Sequence, residues 1–196
     1  IANGVLYRSS SPINPDLGRN TYADKAARDA GIITVVNLAD SSNTYEGAEN
    51  TYYSTCQVTY VNLGADFLSE ATLSGIAEGM RFIINNDGPY LIHCNEGKDR
   101  AGFVSALLEC LMGATLNEVI NDYMITYYNY YGVEKDTEKY NAIVKNNLIK
   151  VLNTTFNVDD VYKADLVAEA EAFLIENAGL TSDEVTALKA RLETTA

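Results

Sequence analysis

Residues His93 to Gly102 read HCNEGKDRAG, which sets Cys94 and Arg100 at the two ends of a C-x5-R stretch. A cysteine becomes a strong nucleophile as a thiolate, and a helix N-terminus or nearby cation lowers its pKa to roughly 4–7. An arginine offers a planar, permanently charged fork that fits two oxygens of a phosphate. Gly97 lets the chain turn and lets the backbone approach a ligand closely, and Gly102 permits tight packing where a helix begins. The chemistry open to this set is attack of the Cys94 sulfur on phosphorus, with Arg100 gripping the equatorial oxygens as charge spreads over them. Asn95, Glu96, Gly97, Lys98 and Asp99, with Ala101 just past the arginine, are the phosphate-binding candidates, because successive backbone N–H groups there can point inward.

The elements on either side must hold this loop. Tyr90-Leu91-Ile92 is a short apolar run, and the sequence predicts a central strand over Pro89–His93. After the loop, Val104, Leu107, Leu108 and Leu111 recur at helical spacing. A strand–loop–helix junction puts the positive end of a helix at the thiol. Upstream, Thr21 to Ala30 reads as a helix stopped by Gly31, and Ile32–Ala39 and Val58–Leu63 read as strands. Ser69 to Asn85 reads as a helix with Ser69 as its N-cap and Leu73, Ile76, Met80, Ile83 and Ile84 on one face. Thr115-x-x-Glu118 is a capping box for a helix running to about Tyr130, ended by Gly132. From Glu134 onward only helical patterns occur, over Lys135–Val151, Val161–Asn177 and Ser182–Leu192. The order of elements is α/β followed by α.

The loop H-C-x-x-G-K-D-R-x-G resembles that of the cysteine-based protein tyrosine phosphatases. It resembles the bacterial tyrosine/dual-specificity branch related to mycobacterial phosphatase B and Listeria lipid-and-protein phosphatases. Leu6-Tyr7-Arg8-Ser9, the segment Gly31 to Leu38 and Asp122-Tyr123-Met124 resemble further segments of that branch. The resemblance implies a three-layer α/β phosphatase fold, with a central, mainly parallel sheet flanked by helices and a helical C-terminal third. One domain is expected over residues 1–196, with a catalytic core to about 132 and a helical extension from about 133. The implied activity is phosphomonoester hydrolysis through a phosphocysteine, without metal or other cofactor. The implied substrate is a phosphotyrosine protein or peptide, with dual specificity as an extension. An inositol phosphate or phosphoinositide substrate is the first alternative, and a phosphate-binding module with little turnover is the second. Two aspartates compete for the role of acid: Asp99, which resembles the loop aspartate of the branch, and Asp66, which falls where the family's mobile acid loop lies, with Gly64 as a hinge. The family usually carries Ser or Thr after the arginine, and this chain has Ala101.

Other residues carry weaker signals. His93, the single histidine, is expected to brace the loop by hydrogen bonds. Lys98 could meet a second substrate phosphate, whereas Glu96 would repel polyanions. Arg8 and Arg19 are expected in surface ion pairs, with an approach to the pocket as the alternative, and the tyrosines from 123 to 131 in ordinary helix packing, with a stacking wall for an aryl phosphate as the alternative. Cys110 reads as a core thiol; Cys56 reads as structural, with resolution of an oxidised Cys94 as its alternative. One histidine and scattered cysteines do not make a metal cluster. With 14 basic and 27 acidic residues the net charge is −13, which argues against nucleic acid and anionic membrane surfaces as partners. No apolar run approaches the ~18 residues of a membrane span. The chain begins at Ile1, so an upstream segment is expected. Cytoplasmic and secreted locations, and the oligomeric state, stay open.

Overall fold

The structure, a computed structural model, describes residues 1–193. Four short strands, β1 (Leu6–Ser9), β2 (Thr34–Asn37), β3 (Gln57–Tyr60) and β4 (Tyr90–His93), form one parallel sheet in the order β1-β4-β2-β3. Every residue of the two inner strands, β2 and β4, is buried, as a parallel sheet covered on both faces requires. Side chains alternate between the layers. Val35 and Leu91 face a small cluster with Ile13, Ala27, Ile32 and Tyr53, whereas Val36 and Ile92 face the main core.

The edge strand β1 has no counterpart among the strands read from sequence. Leu-Tyr-Arg-Ser carries one aliphatic side chain and no apolar run, so nothing local marks it. It exists because β4 offers an open edge, onto which Leu6 to Ser9 align in register with Tyr90 to His93. The strands read over Ile32–Ala39 and Val58–Leu63 pair over only four residues each. Beyond the ladder the chain stays tethered, Leu38 N–H donating to His93 O and Leu63 N–H to Leu38 O, each at 2.9 Å.

The helices are α1 (Asn20–Asp29), α2 (Glu70–Asn85), α3 (Arg100–Leu111), α4 (Leu116–Tyr131), α5 (Glu138–Ile143), α6 (Lys150–Thr155), α7 (Leu166–Ala172) and α8 (Ser182–Glu193). The α2 N-cap is Ser69, and the Thr115–Glu118 capping box and the left-handed Gly132 bound α4 as the residue types dictate. The helix read over Lys135–Val151 begins later, because Thr137 caps it through Tyr140 N, and runs on to Thr155 through a wide π-type turn at Val144–Ile149. The helix read from Val161 begins at Leu166, because Asp165 supplies a fresh cap to Ala168 N; a π-type turn at Phe173–Asn177 completes it.

Helix α3 is buried at every position except Arg100 and Glu109. It is apolar all round because the sheet, α4 and α7 enclose it. Leu152, Phe173, Leu174, Leu188 and Leu192 from the C-terminal third join the same core as Ile92, Val104 and Leu107. That third is therefore a packing layer over α2 and α3. Among the described residues no helix is long and apolar enough to cross a membrane.

Candidate active site

The central strand β4 ends at His93, α3 starts at Arg100, and residues 94–99 form the loop between them. Ligands of parallel sheets gather at this carboxyl end of the strands. Cys94 is almost fully buried at the base of the loop. The Arg100 guanidinium donates through Nη1 to Leu38 O at 3.1 Å and Leu63 O at 3.3 Å. Both carbonyls lie just past the ends of β2 and β3. One corner of the fork is thereby pinned to the sheet.

Three loop carbonyls are each engaged by a neighbour. Asn95 O accepts Ser11 N–H at 3.1 Å. Gly97 O accepts from Arg8 Nη1 at 2.6 Å and from Thr126 Oγ1 at 3.3 Å. Cys94 O lies 3.3 Å from His93 Nδ1. In a planar trans peptide the N–H points opposite to the C=O. The amides of Asn95, Glu96 and Lys98 are therefore turned away from these anchors, which is the arrangement that cradles an anion. Gly97 is required twice over: its φ is +73°, and a Cβ there would meet the Ser9 carbonyl at 2.6 Å.

Arg8 makes the expected ion pair, with Asp122, but from a largely buried position. Its side chain is 9% exposed. Besides Gly97 O, it donates from Nη1 to Thr126 Oγ1 at 2.7 Å and from Nη2 to Asp122 O at 2.5 Å and Asp122 Oδ2 at 2.9 Å. It ties β1, α4 and the loop together without facing solvent. The sequence offered an approach of Arg8 to the pocket as the alternative to surface pairing, but its partners on α4 and the loop lie too far along the chain to be read from it.

His93 is fully buried. A carbonyl only accepts, so Nδ1 carries the proton toward Cys94 O, and Nε2 accepts from Tyr53 Oη at 3.2 Å. Tyr53 Oη in turn accepts from Asn37 Nδ2 at 3.0 Å. Burial pulls the His93 pKa down from 6.5 to about 4, so the ring is neutral at working pH. Between those two pH values the unfolded chain binds the extra proton, and stability falls as pH drops through the window, by up to about 3 kcal/mol. In urea unfolding, wild type is expected to lose more stability than His93→Gln between pH 7 and pH 4.5. Equal losses would show that His93 does not titrate this way.

Glu96 also finds its reason. Lys98 Nζ lies 3.0 Å from Glu96 Oε2 and 3.8 Å from Asp99 Oδ2, and Tyr131 Oη donates to Glu96 Oε2. The Tyr131 bond, with Lys98 helping, holds the Glu96 carboxyl below its usual range against the opposing effect of burial. Arg19, expected in an ion pair, instead lies 3.8 Å over the Tyr130 ring. Tyr123 and Tyr127 are packed inside as expected; Tyr128 and Tyr130 are exposed, and Tyr131 closes the rim of the loop.

The two acid candidates differ. Asp66 Oδ1 accepts Leu68 N–H at 3.0 Å, shaping the turn into α2. Asp99 stands at the start of α3 with no capping bond from its side chain and is largely exposed. Ala101 is fully buried in the first turn of α3, where only its backbone N–H is available. Cys56 sits at the entry to β3, its thiol 3.3 Å from Ile32 O. Cys94 follows the far end of β4, about 16 Å along the strands at ~3.3 Å per residue, well beyond disulfide reach. Cys56 is structural, and burial raises its pKa. Cys110 is buried in α3, its thiol pushed up to about 12 by burial. Among the described residues no three His, Cys, Asp or Glu side chains gather as metal ligands.

A parallel α/β sheet with a cysteine–arginine oxyanion loop between its inner strand and a buried helix defines the class of cysteine-dependent phosphatases. The chain belongs to the tyrosine phosphatase family, whose sequence model matches residues 35–194. A tyrosine-protein phosphatase of Nostoc commune is 36% identical over 59 residues, which cover 30% of this chain and 20% of that protein. The chain thus aligns with about a fifth of that relative's length. Among solved structures, the core catalytic domain of the PP-IP phosphatase SIW14 from S. cerevisiae, in complex with citrate, is similar at 18% identity and a TM-score of 0.47. The match covers 78% of this chain and 88% of that one.

Proposed function

We propose that the protein hydrolyses phosphomonoesters through a phosphocysteine on Cys94, with phosphotyrosine in a protein or peptide as preferred substrate and phosphoserine or phosphothreonine as a slower one. The observation that carries this reading is the position of Arg100, pinned by Leu38 O and Leu63 O across from a loop whose carbonyls are turned outward. The Cys94 thiolate forms an S–P bond as the P–O bond to the alcohol breaks. The leaving oxygen takes a proton from a carboxylic acid. Asp99, within the loop itself and largely exposed, suits this role better than Asp66, whose Oδ1 accepts the Leu68 amide in the turn into α2. Water, giving a proton back to that carboxylate, then attacks phosphorus, the S–P bond breaks, the thiolate returns and inorganic phosphate leaves. Arg100 and the loop amides stabilise the equatorial oxygens in both steps.

An inositol phosphate would need cations for its further phosphates. Lys98, the loop residue that suggested such a substrate, has its charge taken up by Glu96 and Asp99, which favours the phosphotyrosine reading. Hydrolysis rates on phosphotyrosine peptides, phosphoserine peptides and inositol phosphates, with Cys94→Ser as the inactive control, test the proposal. Faster release from inositol phosphates would reverse the order.

Ala101 gives the second reading, slow turnover, its footing. No hydroxyl follows Arg100 to stabilise the departing thiolate, so phosphocysteine is expected to accumulate. Rapid mixing should show a burst of released alcohol, and Ala101→Ser should raise the steady rate about tenfold and shrink the burst. A linear progress curve with no gain from Ala101→Ser would remove this position from the rate-limiting step.

A further inference from the structure

Two adjoining cavities run outward from the catalytic loop. The inner one, about 350 Å³, lies against Asp99, Phe67, Phe103, Tyr123 and Val151. The outer one, about 290 Å³, shares Phe67, Asn146 and Val151 and ends among Asp66, Lys150 and Thr154. Together they form a groove whose inner end begins at the residue before Arg100. The inner end is apolar and preformed: Phe67 stacks on Phe103 at 4.1 Å between ring centroids. Its volume suits one leucine- or phenylalanine-sized side chain. The wall is the π-type turn Val144–Ile149, a distortion that recurs at functional sites. Asn147, within that turn, is held by its bond to Tyr127 Oη at 3.0 Å. Asn146 beside it is exposed, and its amide makes no hydrogen bond among the described residues. Lys150 at the outer end is exposed and forms no ion pair among the described residues, although Asp66 lines the same cavity. In a chain of net charge −13, an uncommitted lysine and an uncommitted amide at the end of an apolar slot are complementary to a peptide with an apolar residue followed by a carboxylate.

We propose that this groove binds the residues beside the phosphotyrosine of a peptide substrate, an apolar side chain at the inner end and an acidic one opposite Lys150. The helical C-terminal third thereby supplies the sequence preference of the enzyme. The inference rests on the phosphopeptide reading of the Cys94 site.

The test is kcat/KM for free phosphotyrosine and for phosphotyrosine peptides whose adjacent pair is apolar–acidic, alanine–acidic or apolar–neutral, placed on either side. Wild type, Lys150→Glu and Asn146→Trp are compared through the ratio of each peptide to free phosphotyrosine. The apolar–acidic peptide is expected to exceed free phosphotyrosine roughly tenfold. Lys150→Glu should cut the acidic contribution about fivefold, and added salt should act in the same direction. Asn146→Trp, which fills the groove, should remove the rest. Both side chains are exposed, and thermal unfolding confirms that the variants fold. Ratios within about twofold of one another in wild type would overturn the groove and leave the phosphatase reading standing, as would a wild-type preference that both variants retain. If phosphotyrosine in every form is left intact, the reading fails and the inference with it.

Discussion

Arg100→Lys is expected to lower kcat/KM on a phosphotyrosine peptide about a thousandfold, a loss of roughly 4 kcal/mol of transition-state stabilisation. Lysine keeps the charge but not the fork. It also gives up the fixed geometry that Leu38 O and Leu63 O impose on Nη1, so the ammonium is free to follow either carbonyl away from the ligand. The bidentate grip tightens as charge moves onto the equatorial oxygens, so kcat should fall more than KM rises. Steady-state kinetics with a folded variant decide this. Activity within about tenfold of wild type, roughly 1.4 kcal/mol, would take Arg100 out of its role.

Arg8→Lys is expected to cost about a hundredfold in kcat without touching the substrate. The guanidinium serves Gly97 O, Thr126 Oγ1 and two oxygens of Asp122 at once. An ammonium on a shorter donor set cannot hold all of them. Its neighbourhood adds to the demand: burial first, then Asp122, push the Glu109 carboxyl up to about 9. Glu109 is therefore neutral near pH 7, and Asp122 is the carboxylate that Arg8 answers. Releasing Gly97 O lets the peptide rotate and the Lys98 amide leave its inward orientation. Two measurements separate this positioning role from simple loss of fold. Thermal unfolding should report only about 2 kcal/mol of destabilisation. Inorganic phosphate should inhibit the variant about tenfold more weakly, because the loop amides that meet an oxyanion are no longer aligned. Unchanged inhibition by phosphate with lowered stability would make Arg8 a structural residue alone.

The candidate site was legible in sequence wherever its parts lie close along the chain. Cys94, Gly97, Arg100 and the following helix fall within one strand–loop–helix unit, and their residue types announce an oxyanion site before any folding is considered. The same holds for the Ser69 N-cap, the Thr115–Glu118 capping box and the Gly132 stop, where backbone groups are satisfied by side chains one turn away. The alternation of side chains between the two buried layers along β2 and β4 likewise follows from strand period and apolar content.

What tertiary structure alone decided joins residues far apart in the chain. β1 is a strand because β4 has an open edge, and Arg8 reaches Gly97, Asp122 and Thr126 across separations of 89, 114 and 118 residues. The pairing of Glu96 with Tyr131, the separation of Cys56 from Cys94 and the groove from Asp99 to Lys150 are of the same kind. Periodicity and capping chemistry report on one element at a time. A buried polar group takes whichever partner the packed elements bring within about 3 Å, and that choice is made only when the chain closes on itself.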